Sequence, residues 1–388
     1  MVYYKSKHRE LGFFQKLKNI DLVLLSITLL ICLFSIIILY SAGKEACNGI
    51  SCQYGNLSPW ANKQMLRFLI GFVGMGIATL IPIKYILKGT IPLYILTIGS
   101  LIYVQLFGHI GMGAQRWISL GGFKIQPSEI IKIALILVLA KQLSSLTLQE
   151  VRKTKNLVIP GILTLIPFAL VLKQPDLGTS LILIMILGAM LFSSGVQYKK
   201  FFIVLCLALI SLPVIWANIQ DYQKQRVMTF LNPESDVLGA GYHITQAKIA
   251  MGSGGFLGKG YLKGSQSHLN FLPEKQTDFI FTMISEELGM VGGIILILLY
   301  ISLIIRCSMI GINSRSPILK LMAIGISFNI FCYTFINLAM IMGLLPVVGV
   351  PLALVSYGGT SSVVVLGSIG IVQNIYLNRH KVISDKSY

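Results

Sequence analysis

Apolar runs of roughly 18 to 24 residues, about the length a helix needs to cross the hydrocarbon core of a bilayer, recur ten times along this 388-residue chain. They fall at about 22–42, 64–82, 90–107, 128–146, 157–173, 178–195, 201–218, 279–304, 318–342 and 360–377. No other feature restricts the fold as strongly. Backbone N–H and C=O groups cannot stay unpaired in hydrocarbon, so each run is predicted to be an α-helix. An apolar content of 55%, only 12% charged residues and a mean hydropathy of +0.77 exclude a water-soluble domain. The expected fold class is an all-α polytopic membrane protein. Its ten transmembrane helices occupy 22–378, between a basic tail at 1–21 and a short tail at 379–388.

The net charge of +18 is a topology signal rather than a nucleic-acid surface, because the basic residues sit at helix ends and in loops and form no single patch. With the N-terminus in the cytoplasm, 19 of the 32 Lys and Arg residues lie inside. Six of the other 13 belong to one long outer loop, which the positive-inside rule discounts. Both termini are thus expected to be cytoplasmic. The one sizeable non-membrane segment, 219–277 between spans seven and eight, is expected outside. Trp60, Trp117 and Trp216 then fall at the outer interface, where an aromatic belt belongs. The first apolar run is too long for a cleaved signal peptide and reads as an anchor.

Acidic residues are scarce, 14 in all, yet Asp278, Glu286 and Glu287 cluster at the head of the eighth span. Charge there is costly and marks a candidate functional site. Asp278 reads either as a helix N-cap shared with Thr277 or as a general base. Glu286 and Glu287, about 12 Å or more further along the helix, read as structural pairing. Glu129 and Lys132 in the fourth span are three residues apart and share a helix face. They form either a structural intramembrane ion pair or part of the lining of a polar substrate cavity, the latter preferred. Asp176, in KQPDLGTS, reads as the cap of the sixth helix.

By topology, Arg116, Lys124, Glu129, Lys132, Lys173, Asp176 and Asp278 gather at the outer end of the bundle. Cations near a membrane surface suit an anionic lipid headgroup such as a pyrophosphate, and a carboxylate among them can take a proton from an attacking hydroxyl. MGSGGFLGKG resembles a phosphate loop but fails its spacing, with Ser253 where Gly is needed and Gly260 where Ser or Thr is needed. No nucleotide is expected. The five histidines have no ligand spacing, and neither HExxH nor GxSxG occurs.

Four further features have structural readings. Gly71, Gly74 and Gly76 form a small-residue packing face. Cys47 and Cys52, in the first outer loop, are candidates for a disulfide, whereas Cys32, Cys206, Cys307 and Cys332 read as inert packing. The apolar, Gly- and Pro-rich segment 343–361 must be buried in protein or line a cavity, as a re-entrant lining beside a lipid-tail groove or as a kinked connection.

GAQRWISLGGFKIQPSE, KQPDLGTS, NPESDVLGAGYHITQAKIAMGSGGFLGKG, GSQSHLNFLPEKQTDFIFTMISEELG and GLLPVVGVPLALVSYGGTS together resemble the SEDS family (shape, elongation, division and sporulation) from the first span to the tenth. QSHLNFLPEKQTDFIF is closer to its elongation branch than to its division branch. The resemblance implies a peptidoglycan glycosyltransferase that polymerises lipid II on the outer face of the bacterial inner membrane. It further implies elongation machinery, with a class B penicillin-binding protein, a transpeptidase, as partner. The family's catalytic Asp falls on Asp278, its QPSE acid on Glu129, the lysine one turn later on Lys132 and the AQRW arginine on Arg116. Asp278 would act as base in an inverting displacement. Arg116, Lys132 or a divalent cation, Mg or Mn held by Asp278 and Glu129, would stabilise the leaving pyrophosphate. Gln276 stands where many members have His, and Ala353 replaces a usual Pro. A lipid II flippase, a scaffold and a division-type polymerase are the competing readings.

Overall fold

The computed structural model describes residues 12–43, 59–111, 114–120, 123–218, 221–232, 239–265 and 274–383. Cys47 and Cys52 lie outside the described residues. A short helix α1 (Phe13–Lys18) precedes α2 (Leu22–Gly43), α3 (Pro59–Leu80) and α4 (Ile83–Phe107). Strands β1 (His109–Gly111), β2 (Ala114–Leu120) and β3 (Phe123–Ile125) follow, then α5 (Pro127–Ser144), α6 (Leu148–Val151), α7 (Val158–Lys173), α8 (Leu177–Ser193) and α9 (Tyr198–Asn218). The chain continues through α10 (Asp221–Leu231), α11 (Ala240–Ser253), α12 (Ile280–Ile312), α13 (Pro317–Ile341) and α14 (Gly359–Asn378).

A helix occupies each of the ten apolar runs, and among the described residues seven helices are long and apolar enough to cross a membrane. Apolar attraction between helices is weak in lipid, so close packing and buried polar contacts hold such a bundle together. At its centre lies α5, buried from Pro127 to Leu143 on nearly every side by α4, α7, α8 and α13. The most extensive helix pair is α3 with α14, where a Cβ at Gly71 would collide with Leu366 and one at Gly370 with the Met75 backbone. Gly74 and Gly76 meet nothing within 4 Å. The expected three-glycine face therefore reduces to Gly71, because the other two point away from α14.

One end of the bundle is tied by Asp21, which the sequence reading left in the tail. Its buried carboxylate accepts from Arg306 Nε of α12 at 2.9 Å. Its backbone exchanges two hydrogen bonds with the Gln373 side chain of α14, at 3.0 and 2.8 Å. At the other end, the three strands form an antiparallel sheet ordered β1-β2-β3, with Ile118 opposite Ile125 and Leu120 opposite Phe123. The all-α expectation is corrected here. AQRWISL breaks strict alternation at Gln115-Arg116 and Trp117-Ile118, so it carries no clear strand period between two long apolar runs. The segment 219–277, expected to be a polar loop, also contains α10 and α11.

The eighth span is not one straight helix. At Gly289, φ is 66° and ψ −163°, and the chain folds back on itself. Phe281 Cζ and Ser285 Oγ come within 3.2 and 3.8 Å of where a Cβ on Gly293 would stand, although a continuous helix would separate Ser285 from Gly293 by about 12 Å. The short arm, 280–288, thus lies beside the head of the long arm, 290–312. Reversal strands helical donors and acceptors, and MGSGGFLGKG supplies their partners. Lys259 and Gly260 N–H groups donate to the Glu286 and Glu287 carbonyls at 3.0 Å each. The Met290 and Val291 N–H groups donate to the Gly255 and Phe256 carbonyls at 3.0 and 3.2 Å.

Gly289→Ala places a side chain at positive φ against the Gly258 and Phe256 backbone. It is expected to cost about 1–3 kcal/mol and to lower the melting temperature in detergent. Gly74→Ala, facing open space, is expected to leave it unchanged or raise it slightly.

Candidate active site

Asp278 stands just before α12, whose N-cap is Phe279 with no side-chain capping bond. The capping reading of Asp278 fails, and Thr277 Oγ1 bonds Glu274 Oε2 instead, at 2.8 Å. Among the described residues the Asp278 carboxylate makes no hydrogen bond or ion pair. Its neighbours in charge are Glu274, Arg226, Arg116 and Asp176. Burial first, then the negative charge of Glu274 and more weakly that of Asp176, raise its pKa to about 6, against the pull of Arg226 and Arg116. Every other acid singled out from the sequence is engaged. The Glu286 carboxylate pairs with Lys259 Nζ at 2.8 Å, and Glu287 Oε1 accepts from Ser41 Oγ at 2.6 Å. Pairing was expected for both, but the reversal at Gly289 sets Glu287 beside the last turn of α2 and Glu286 beside Lys259, rather than deep in a straight span.

Arg116 on β2 reaches across to the turn between α7 and α8. Its Nε donates to the Gln174 carbonyl at 3.0 Å and its Nη2 to the Pro175 carbonyl. Those carbonyls close α7, where a cation also suits the helix dipole. The next residue, Asp176, caps α8 by accepting from the Thr179 N–H at 3.3 Å, as its motif suggested. It also lies 3.4 Å from Ser128 Oγ and Gln126 Nε2 at the head of α5. Arg116 and Asp176 therefore join three elements within the electrostatic reach of Asp278.

Glu129 and Lys132 lie lower on α5, and α13 links them to the same site. Tyr333 of α13 hydrogen-bonds both, while Asn337, one turn on, donates from Nδ2 to the Asp278 carbonyl at 3.0 Å. Lys132 Nζ is 2.7 Å from Glu129 Oε1, with side chains only 1% and 4% exposed. This is a closed ion pair locked by a phenol, not the expected lining of an open cavity. Both Glu129 oxygens are taken, so of the two acids expected to hold a divalent cation only Asp278 has oxygens to offer. Lys124 and Lys173 are exposed. The former reaches α14 through its backbone, its carbonyl accepting from Thr360 Oγ1 at 3.0 Å.

Two cations escaped the sequence reading. Arg226, on α10, faces Asp278 from a segment without periodicity or motif. Arg67, on α3, lies 4.0 Å over the Tyr357 ring and donates to its hydroxyl at 2.9 Å, while Trp60 packs edge-on against the same ring. The segment 343–358 is non-helical, with Val350 and 352–356 buried. Protein surrounds it. Ser35 Oγ donates to the Val355 carbonyl at 2.8 Å, Tyr300 to that of Ala353, and Asn337 to that of Val350 at 2.8 Å.

Fold and site together define a polytopic membrane protein with a charged site at one end of its helical bundle. A family model described as "Cell cycle protein", covering FtsW, RodA and SpoVE, matches residues 21–381, and the chain belongs to that family. Over 363 residues it is 41% identical to the peptidoglycan glycosyltransferase MrdB of Escherichia coli (strain K12), covering 93% of this chain and 94% of that protein. It is 32% identical to a probable peptidoglycan glycosyltransferase FtsW of Geobacter sp. (strain M18), covering 93% and 98%. Among solved structures, it superposes with a TM-score of 0.79 and 25% identity on a chain of a peptidoglycan synthase complex that coordinates polymerization and crosslinking, covering 93% and 99%. The rod shape determining protein RodA of Thermus thermophilus matches with a TM-score of 0.69 and 23% identity, covering 93% and 98%.

Glu129→Ala strands the buried Lys132 ammonium and is expected to cost about 3–5 kcal/mol. Adding Lys132→Met removes the stranded charge and is expected to restore most of the loss. Thermal unfolding of the two variants in detergent checks both.

Proposed function

We propose that this chain is a peptidoglycan glycosyltransferase that polymerises lipid II into glycan strands on the outer face of the bacterial inner membrane, serving elongation and rod shape. The observation that carries the reading is the Asp278 carboxylate, half-buried yet unbonded among the described residues. It has two arginines within electrostatic range. Identity to MrdB over almost the whole chain supports the activity. It exceeds identity to the FtsW relative, in keeping with the elongation branch.

Asp278 takes the proton from the 4-hydroxyl of the acceptor sugar. The oxygen attacks the anomeric carbon of the donor, the carbon–oxygen bond to pyrophosphate breaks, and polyprenyl pyrophosphate leaves. One displacement inverts the α-linked donor into a β-linked polymer. A positioned base is worth about 10²–10⁴ in rate. Arg116, with Arg226, supplies positive charge for the leaving group, and Asp176 fixes the turn that Arg116 braces. Glu129 and Lys132 support this site from below as a buried pair. Asp278 would be the residue to hold a divalent cation, which would supply further positive charge for the leaving group.

In this reading all ten helices over the apolar runs cross the membrane, within a single domain over 22–378. Both tails, 1–21 and 379–388, are cytoplasmic and 219–277 is outside. The partner is a class B penicillin-binding protein, a transpeptidase. Support comes from the superposition on a chain of a complex that couples polymerization to crosslinking.

Purified protein with its partner, given lipid II in detergent, is expected to form glycan polymer. A flippase forms none there, because no two sides exist. Asp278→Asn is expected to lose at least about 10²-fold in rate. A base works deprotonated, so with a pKa of about 6 activity is expected to fall as pH drops through 6 and to level off above about 7. A pH–rate series checks this, and retained activity in chelator excludes the cation.

A further inference from the structure

The three residues ending in Asp278 precede the helix, so their carbonyls need partners from elsewhere. One stretch, 337–357, provides all three. The Tyr357 N–H donates to the Gln276 carbonyl at 2.8 Å, Ser356 Oγ to that of Thr277 at 2.6 Å, and Asn337 Nδ2 to that of Asp278 at 3.0 Å. Each side chain also ties this clamp to the neighbouring buried loop. Ser356 Oγ accepts from the Leu352 N–H at 2.8 Å, and Asn337 Nδ2 donates again to the Val350 carbonyl at 2.8 Å. Both residues are closed to solvent, Asn337 at 0% and Ser356 at 2% exposure. Asn337 Oδ1 has no partner among the described residues, so its hydrogen bonds there are all donated. The backbone beneath Asp278 is thus held at three consecutive points while the carboxylate itself is left unbonded.

We propose that Asn337 and Ser356 are positioning residues for Asp278, setting where its carboxylate meets the acceptor hydroxyl. This rests on Asp278 being the base. A buried clamp suits that task because the group it places has to stay free for substrate and cannot be anchored through its own oxygens. Placement errors near 1 Å cost on the order of 10²-fold in rate, and a side-chain amide and a hydroxyl are the links most easily removed singly. The chemistry also dictates which replacements work. Ser356 needs a donor and an acceptor on one atom, which Thr keeps and Ala lacks. Asn337 needs its N–H donors, which Asp lacks.

The test measures lipid II polymerisation per folded molecule, with the partner transpeptidase present. Ser356→Ala and Asn337→Asp are expected to lower kcat about 10- to 100-fold and to leave KM within about twofold. Ser356→Thr is expected to recover most of kcat. In an Asp278→Ala background, Ser356→Ala is expected to cause no further loss, because the group it places is gone. Should Ser356→Ala not fold, Ser356→Cys, nearly isosteric with a weak donor, takes its place. Normal kcat in both single variants while Asp278→Ala is inactive overturns the positioning role and leaves the base assignment standing. Full activity in Asp278→Ala instead overturns the base assignment.

Discussion

Wherever an apolar chain leaves the helix, its backbone N–H and C=O groups need partners that hydrocarbon cannot supply, and this requirement organises the site end of the molecule. Two interruptions stand out. At Gly289 the donors and acceptors freed by the reversal are taken by the backbone of 255–260. Along 350–357 the carbonyls are taken by side chains from three helices, Ser35 on α2, Tyr300 on α12 and Asn337 on α13. The second interruption then supplies two of the donors that hold 276–278, Tyr357 and Ser356, and Asn337 of α13 supplies the third. Asn337 belongs to both sets, satisfying the Val350 carbonyl of the non-helical segment and holding that of Asp278.

Charge is handled in two ways near this site. Glu129 and Lys132 neutralise one another in a closed cluster with the Tyr333 hydroxyl, as buried ions must if they are not to cost several kcal/mol each. Asp278 has arginines at a distance and no direct partner among the described residues, so burial and Glu274 raise its pKa. A carboxylate held in that state keeps its oxygens free for substrate, whereas those of Glu129 are taken by Lys132 and Tyr333. The two acids that the motifs present as equals thus have different chemistry, set by what touches them.

The site was half legible in the sequence. Asp278, Arg116 and Asp176 stood out because each is a charge beside an apolar run, and the motifs carrying them are long. Arg226 did not, because the segment holding it has no apolar period to say which side of a helix it presents. Asn337 reads as one polar residue in a mostly apolar helix, with nothing local to show that it reaches residue 278, 59 positions away. MGSGGFLGKG was excluded as a phosphate loop, but its glycines gave no sign that they admit a second backbone at hydrogen-bonding distance.

By itself the sequence determined that the chain is a bundle of membrane helices, roughly where those helices lie, and which acids are out of place. Hydrophobic length and the cost of buried charge are local properties, readable from consecutive residues. Tertiary structure alone decided that the eighth run reverses at Gly289, that AQRWISL pairs as a strand, that Glu129 is locked and that Asp278 is open. Those outcomes depend on which distant donor reaches which acceptor, and that is settled only when the helices have packed.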